Sequence, residues 1–135
     1  MTGEFALHAR LAADTLFVAD WPLSRVLLMN DARYHWVVLV PRRSGLSELH
    51  DVVPSEREIL GSEMMRASAG LKALSGASKI NVGALGNIVP QLHIHVVARS
   101  LGDPAWPGPV WGHSPAEAYS PSLAELRIAA LRVRL

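Results

Sequence analysis

The chain contains no cysteine in its 135 residues, which excludes a disulfide framework, a thiolate zinc centre and a cysteine nucleophile. Any nucleophile or metal ligand must come from His, Ser, Thr, Asp, Glu or Lys. A charge surplus is missing too. Thirteen Lys and Arg against twelve Asp and Glu leave a net charge of +1, too little for a strongly salt-dependent grip on a nucleic-acid backbone. Nucleic acid is therefore not an expected partner, whereas a single nucleotide or small phosphate ester is compatible with this balance. Long hydrophobic runs are also absent. Glu4, Arg10, Asp14 and Asp20 interrupt the first thirty residues, so neither a secretion signal nor a membrane span is expected. These absences lead us to expect a cytoplasmic protein with no membrane partner.

What is present is a 50% hydrophobic composition, enough for one core, and we expect a single domain over residues 1–135. Thr15 to Val18 and Ser24 to Met29 are β-prone runs separated by Asp20-Trp21-Pro22-Leu23, which predicts a hairpin. Asn30-Asp31-Ala32-Arg33 reads as a turn, and His35 to Pro41 as a Val-rich strand closed by its proline. Ser55 followed by Glu58 has the form of a capping box, and Leu60, Met64, Ala67, Leu71 and Leu74 recur at helical spacing until Gly76. Lys79 to Val82 and Leu92 to Ala98 are the remaining predicted strands. The stretch from Gly102 to Pro121 is rich in Pro and Gly, and predicts an irregular arm pinned by Trp106 and Trp111. Ser120 before Pro121 predicts an N-cap and a short helix to the C-terminus.

The chemistry-bearing feature is the run Gln91-Leu-His93-Ile-His95-Val-Val. In a strand, side chains alternate between faces, so Gln91, His93 and His95 share one face and Leu92, Ile94 and Val96 the other. Neighbours on one face lie ~6 to 7 Å apart, close enough for two imidazoles and an amide to surround one phosphate. An imidazole with a pKa near ~6.5 can attack phosphorus when neutral and stabilise phosphate oxygens when charged. Three readings are open at this point: phosphate chemistry, a solvent-facing pair, and a His-based metal site with Asp31, His35 or a remote carboxylate folding back as a further ligand. The preceding loop, Asn81 through Asn87, carries glycines that can bring backbone N–H groups near an anion.

This run resembles the signature of the histidine triad (HIT) superfamily, His-φ-His-φ-His-φ-φ with φ apolar. The resemblance extends from LLMND through HWVVLVPRR and SGLSELHDV to INVGALGNIVPQLHIHVVAR, and residues 102–135 are similar, more weakly, to a bacterial subgroup with Gln in place of the first His of the triad. It implies an α+β fold: a five-stranded antiparallel sheet with one long helix and short terminal helices, with 102–135 as the irregular arm and short helix. It further implies a homodimer, a nucleotide substrate, no cofactor and no metal. The implied activity is that of a nucleotide hydrolase or transferase. Its middle histidine attacks the α-phosphorus of a nucleoside phosphate ester, polyphosphate or phosphoramidate, forming a nucleotidyl-histidine that water resolves.

Carried onto this chain, the resemblance makes His93 the nucleophile and His95 an α-phosphate contact. Gln91 takes the place of the first triad histidine, which removes a titratable group from the catalytic set. Asp31 falls where relatives contact the ribose hydroxyls, His35 where they bury a histidine behind the triad, and Asn81 and Asn87 in the loop before the strand, where Asn87 can donate to a phosphate oxygen. Ile88 stands where many relatives place Ser or Thr. Gln91 and Ile88 together motivate an alternative, a nucleotide-binding or interaction module with weak catalysis.

Overall fold

The computed structural model describes residues 3–135. Helix α1 (Ala9–Asp14) leads into β1 (Thr15–Asp20), β2 (Ser24–Met29) and β3 (His35–Pro41). A 3-10 turn at Leu49–Asp51 precedes the long helix α2 (Pro54–Ser75), and then come β4 (Lys79–Gly83), β5 (Ile94–Arg99) and α3 (Pro121–Arg134). The five strands form one sheet in the order β1-β2-β3-β5-β4, every neighbouring pair antiparallel. This is the expected α+β architecture. No helix among the described residues is long and apolar enough to cross a membrane.

Alternation along β3 separates two cores. Val37 and Leu39 face α2 and α3 and pack with Val26, Leu28, Ile94 and Val96 against Leu60, Ala67, Leu71 and Leu131. Trp36, Val38 and Val40 point the other way, into a second cluster with Leu11, Leu27, Tyr34, Val89, Val97, Ala105 and Val110. A strand covered on both faces needs apolar residues at consecutive positions, which is why HWVVLV has no polar alternation. The sequence pattern suggested one apolar and one polar face for the histidine strand. Instead, the histidine face is roofed by α1, the loop before β5 and the arm after it.

Helix α2 starts earlier than the Ser55/Glu58 capping box predicts. Val53 is the N-cap, with no side-chain hydrogen bond, and Pro54 occupies the first turn. Proline has no N–H to leave unsatisfied there and its φ is already helical. Gly76 ends the helix in the left-handed region at φ 69°, a conformation costly for residues with a β-carbon. One buried polar residue interrupts the core face. Glu63 accepts hydrogen bonds from the backbone N–H groups of Leu23 (3.0 Å) and Ser24 (2.9 Å), so α2 holds the β1–β2 turn through a carboxylate. At the other end of the chain, Ser120 accepts from the Leu123 N–H and Pro121 opens α3, as predicted.

Strand β5 begins at Ile94 rather than Leu92. The segment before it is held by Leu46, whose carbonyl accepts from the Leu92 N–H at 2.9 Å. Alternation nevertheless continues through it: Leu92, Ile94 and Val96 belong to the helix-side core, and His93 and His95 lie opposite.

Candidate active site

His93 and His95 are 7% and 6% exposed, their rings edge to face with centroids 4.9 Å apart. Hydrogen bonding assigns a distinct tautomer to each. His93 Nδ1 lies 2.7 Å from the backbone oxygen of Gln91. A carbonyl only accepts, so Nδ1 carries a proton and, in the neutral ring, Nε2 keeps its lone pair. His95 Nδ1 lies 3.0 Å from Trp36 Nε1. An indole nitrogen only donates, so this Nδ1 is the acceptor and, in the neutral ring, Nε2 carries the proton. Burial, followed by the neighbouring His93, lowers the His95 pKa to about 4. The pair therefore offers a nucleophilic nitrogen beside a neutral hydrogen-bond donor.

Trp36 and Trp111 hold His95 between them, each ring centroid 5.6 Å from the imidazole. Trp111 reaches the site from the arm by lying on Gly83. A β-carbon at that position would stand 3.1 Å from the indole Cη2, and Gly83 is the residue paired with His95 across β4 and β5. The aromatic roof thus depends on the absence of a side chain in β4.

A cleft of about 500 Å³ opens over these rings, within the size range of small-ligand sites. Leu11, Met29, Ile88, Val89 and Val110 give it apolar walls, and Asp31, Asn87 and Ser114 give it polar ones. A smaller cleft of about 230 Å³, lined by Ser47, His50 and Gln91, shares Leu85, Gly86 and His93 with the first.

Of the residues singled out by sequence, His93, His95, Asp31 and Asn87 converge on the larger cleft. Asp31 is 2% exposed and bound by the Arg33 guanidinium through Nε to Oδ1 and Nη2 to Oδ2, both at 2.9 Å. Burial alone would raise its pKa. The Arg33 side chain and the N–H groups of Arg33 and Glu117 outweigh that and hold it below the usual carboxylate value. Oδ2 receives only the Arg33 Nη2 bond, so it retains acceptor capacity.

Three expected site residues do not line the larger cleft. His35 is paired with Ala98 and projects to the helix side of the sheet, where burial and then the charge of Arg127 lower its pKa to about 4. Its place in β3 has odd parity with Val37 and Leu39, so the sheet itself separates it from the cleft. Asn81 is bound by Arg99, whose Nη1 donates to Oδ1 at 2.9 Å, while Asp103 takes the rest of that guanidinium. The Gln91 carboxamide binds the N-terminal segment, donating to the Ala6 oxygen at 2.9 Å and accepting from the His8 N–H at 2.8 Å. Its main-chain carbonyl is the group hydrogen-bonded to the His93 ring. Ile88 lines the cleft and is 73% exposed, while Arg42 and Arg43 are engaged with the β1–β2 turn and Glu56, away from the cleft.

Sequence reasoning missed Trp36 and Arg33. Trp36 is brought to His95 by a β3–β5 pairing between residues distant in sequence, and nothing local signals that contact. Arg33 could have been found from its spacing, since an acidic residue in a turn with Arg two positions later is placed for a local ion pair. Among the described residues, no three His, Asp or Glu side chains come together as a metal-binding group.

The HIT domain family matches residues 10–101 of the chain. This chain belongs to the histidine triad family. The HIT assignment covers every strand and α2, with α3 lying beyond it. Solved structures of similar HIT proteins include one from Marinobacter aquaeolei at 47% identity and TM-score 0.96, covering 98% of this chain and 97% of that one. Another, from Bradyrhizobium japonicum, is 43% identical at TM-score 0.95 and covers 98% of both chains. A third, from Sinorhizobium meliloti, is 44% identical at TM-score 0.95 and covers 97% of both. These full-length similarities include the arm and α3 as well as the HIT domain proper. No curated protein matches the chain significantly.

Proposed function

We propose that this HIT protein is a nucleotide hydrolase or transferase acting at the α-phosphate of a nucleoside phosphate ester, polyphosphate or phosphoramidate. The observation that carries the reading is the pair of tautomers set by hydrogen bonding: in the neutral rings, a His93 Nε2 lone pair next to the His95 Nε2–H, at the floor of a cleft with apolar walls. The base lies against Leu11, Met29 and Val89, the ribose hydroxyls bond to Asp31, and the phosphate sits over the two imidazoles, with Asn87 available to a phosphate oxygen. His93 Nε2 forms a bond to phosphorus as the bond to the leaving group breaks, and the leaving group takes the electron pair and a proton from solvent. The imidazole gains positive charge in that step. Its Nδ1–H bond to the Gln91 carbonyl then becomes charge-assisted and stabilises the intermediate. Water next attacks phosphorus, the P–N bond breaks, and the lone pair returns to Nε2 with release of a proton. His95, neutral at physiological pH, donates to a phosphate oxygen in both steps.

No group in this sequence of steps requires a metal or organic cofactor. The Gln-for-His bacterial subgroup, a cytoplasmic setting and a homodimer complete the proposal. The dimer is supported by β4, an edge strand with Val82 exposed, and sedimentation of the purified protein tests it. The enzymatic reading is tested by incubation with diadenosine polyphosphates and adenosine phosphoramidates, with and without a chelator. Turnover should survive chelation and fall at least about 10³-fold in His93→Ala. Equal turnover in that variant would contradict the mechanism.

A further inference from the structure

The side chain of Gln91 makes two hydrogen bonds, both to the main chain of a segment 85 and 83 residues away. We propose that Gln91 is a positioning residue, a latch that joins the N-terminal segment to the loop carrying His93 and so sets the tautomer and direction of the nucleophile; the inference rests on the reading of His93 given above.

In an extended segment, the carbonyl of one residue and the N–H of the residue two positions on project to the same side. Ala6 and His8 present such a pair, and a carboxamide matches it with one donor and one acceptor side by side. An imidazole cannot do the same. Its two nitrogens point along diverging directions, so a histidine at this position satisfies at most one of the two backbone groups. The replacement of the first triad histidine by Gln therefore fits the segment it binds.

What the latch holds is connected to the cleft in two ways. His8 is the N-cap of α1, its Nδ1 accepting from the Arg10 N–H at 3.0 Å, and α1 contributes Arg10, Leu11 and Asp14 to the cleft wall. Phe5 and Leu7 on the same segment pack on the histidine-side core. The second connection runs through the main chain. The carbonyl of Gln91 is the acceptor for His93 Nδ1–H, and Gln91 precedes the first residue of β5, so its peptide plane lies outside the strand ladder and is tied on the N–H side by the Leu92 bond to the Leu46 carbonyl. The carboxamide bonds anchor the other end of the same residue to the N-terminal segment. Gln91 thus grips the segment with its side chain and the nucleophile with its backbone.

The test compares wild type with Gln91→Leu, Gln91→Glu and Gln91→His. Three quantities are read: hydrogen exchange of the His8 amide, the His93 imidazole ¹⁵N shifts that report which nitrogen is protonated, and kcat and KM on an adenosine phosphoramidate. Gln91→Leu should speed exchange at His8, reduce the Nδ1–H tautomer and lower kcat about tenfold, a loss in the range that misplacing a reacting group produces. Gln91→Glu is isosteric and keeps the acceptor for the His8 N–H while losing the donor to the Ala6 oxygen, so it should fall between Gln91→Leu and wild type in all three. Gln91→His should give no gain in kcat. A rise in kcat above wild type in Gln91→His, or faster exchange in Gln91→Leu with an unchanged tautomer, would overturn the latch. Exchange and tautomer need no substrate. A wild type without turnover therefore contradicts the enzymatic reading alone, and those two readouts still decide the latch.

Discussion

Each face of the sheet carries a histidine with a pKa lowered to about 4, His35 half-buried and His95 buried, yet the two residues have different surroundings. His35, on the helix side, is depressed by burial and by the cation of Arg127. His95, on the other face, is depressed by burial and by His93, with a specific donor from Trp36 and a cleft above it. A perturbed pKa alone therefore does not mark a functional residue here. What distinguishes His95 is the combination of a fixed tautomer, a partner imidazole and access to a cavity. β3 and β5 supply both surroundings from the same backbone, and alternation keeps the packed core on one side and the reactive rings on the other.

The comparison can be broken first from the helix side. Leu71 is fully buried against the sheet, and Leu71→Ala should cost about 2–5 kcal/mol of stability. Turnover per folded molecule at low temperature should be nearly unchanged, because no cleft residue touches that position. Denaturant unfolding alongside kinetics measures both quantities. A selective loss of kcat without loss of stability would show that the faces are not separate.

The next effect in size comes from pH. Both imidazoles have folded pKa values of about 4 against an unfolded value of 6.5. Between these limits the unfolded chain binds more protons, so stability is complete above the upper value and is lost as pH falls through the window. Discounted for partial solvent access, a decline on the order of 2 kcal/mol from each imidazole is expected from pH 7 to pH 4, read from urea midpoints. His35→Gln should flatten part of that slope, and the remainder belongs to the histidine face. A profile unaltered by His35→Gln would place the titration elsewhere.

Trp36→Phe is a narrower intervention. It keeps an aromatic ring beside His95 but deletes the Nε1–H donor, leaving Nδ1 without its partner. The tautomer preference should weaken and kcat fall about tenfold, equivalent to about 1.4 kcal/mol, with imidazole ¹⁵N shifts tracking the change. The smallest effect expected is from Gly83→Ala, where the new methyl group meets the Trp111 indole at 3.1 Å. KM should change by a fewfold as the roof shifts, with kcat retained; a variant indistinguishable from wild type would mean that Trp111 does not shape the cleft.

Local chemistry made much of this molecule legible. The strands from Ser24 to Met29 and His35 to Pro41, and the Ser120-Pro121 start of α3, were readable because turn residues, β-branched runs and caps act over a few positions. The α2 start was misread because two N-terminal signals overlap and the proline dominates. At the site, His93 and His95 were legible as neighbours on one face, and Asp31 and Asn87 also reach the cleft. His35 was not legible, because its parity matters only once β3 is known to pair with β5. The partners of Asn81 and Gln91 were illegible for a common reason. Each amide is satisfied by a group that is remote in sequence or is delivered by tertiary packing, Arg99 for one and the Ala6–His8 backbone for the other. Neither pairing leaves a trace in local composition.

The central claim is that His93 carries the nucleotidyl group during turnover. Rapid mixing of the protein with a radiolabelled adenosine phosphoramidate, quenching in alkaline denaturant and mapping the labelled peptide tests it directly. The account predicts one acid-labile, alkali-stable adenylyl group on His93, formed and lost at rates compatible with kcat and absent from His93→Ala. Label on another residue, or turnover in which no labelled protein forms at any time, would contradict it.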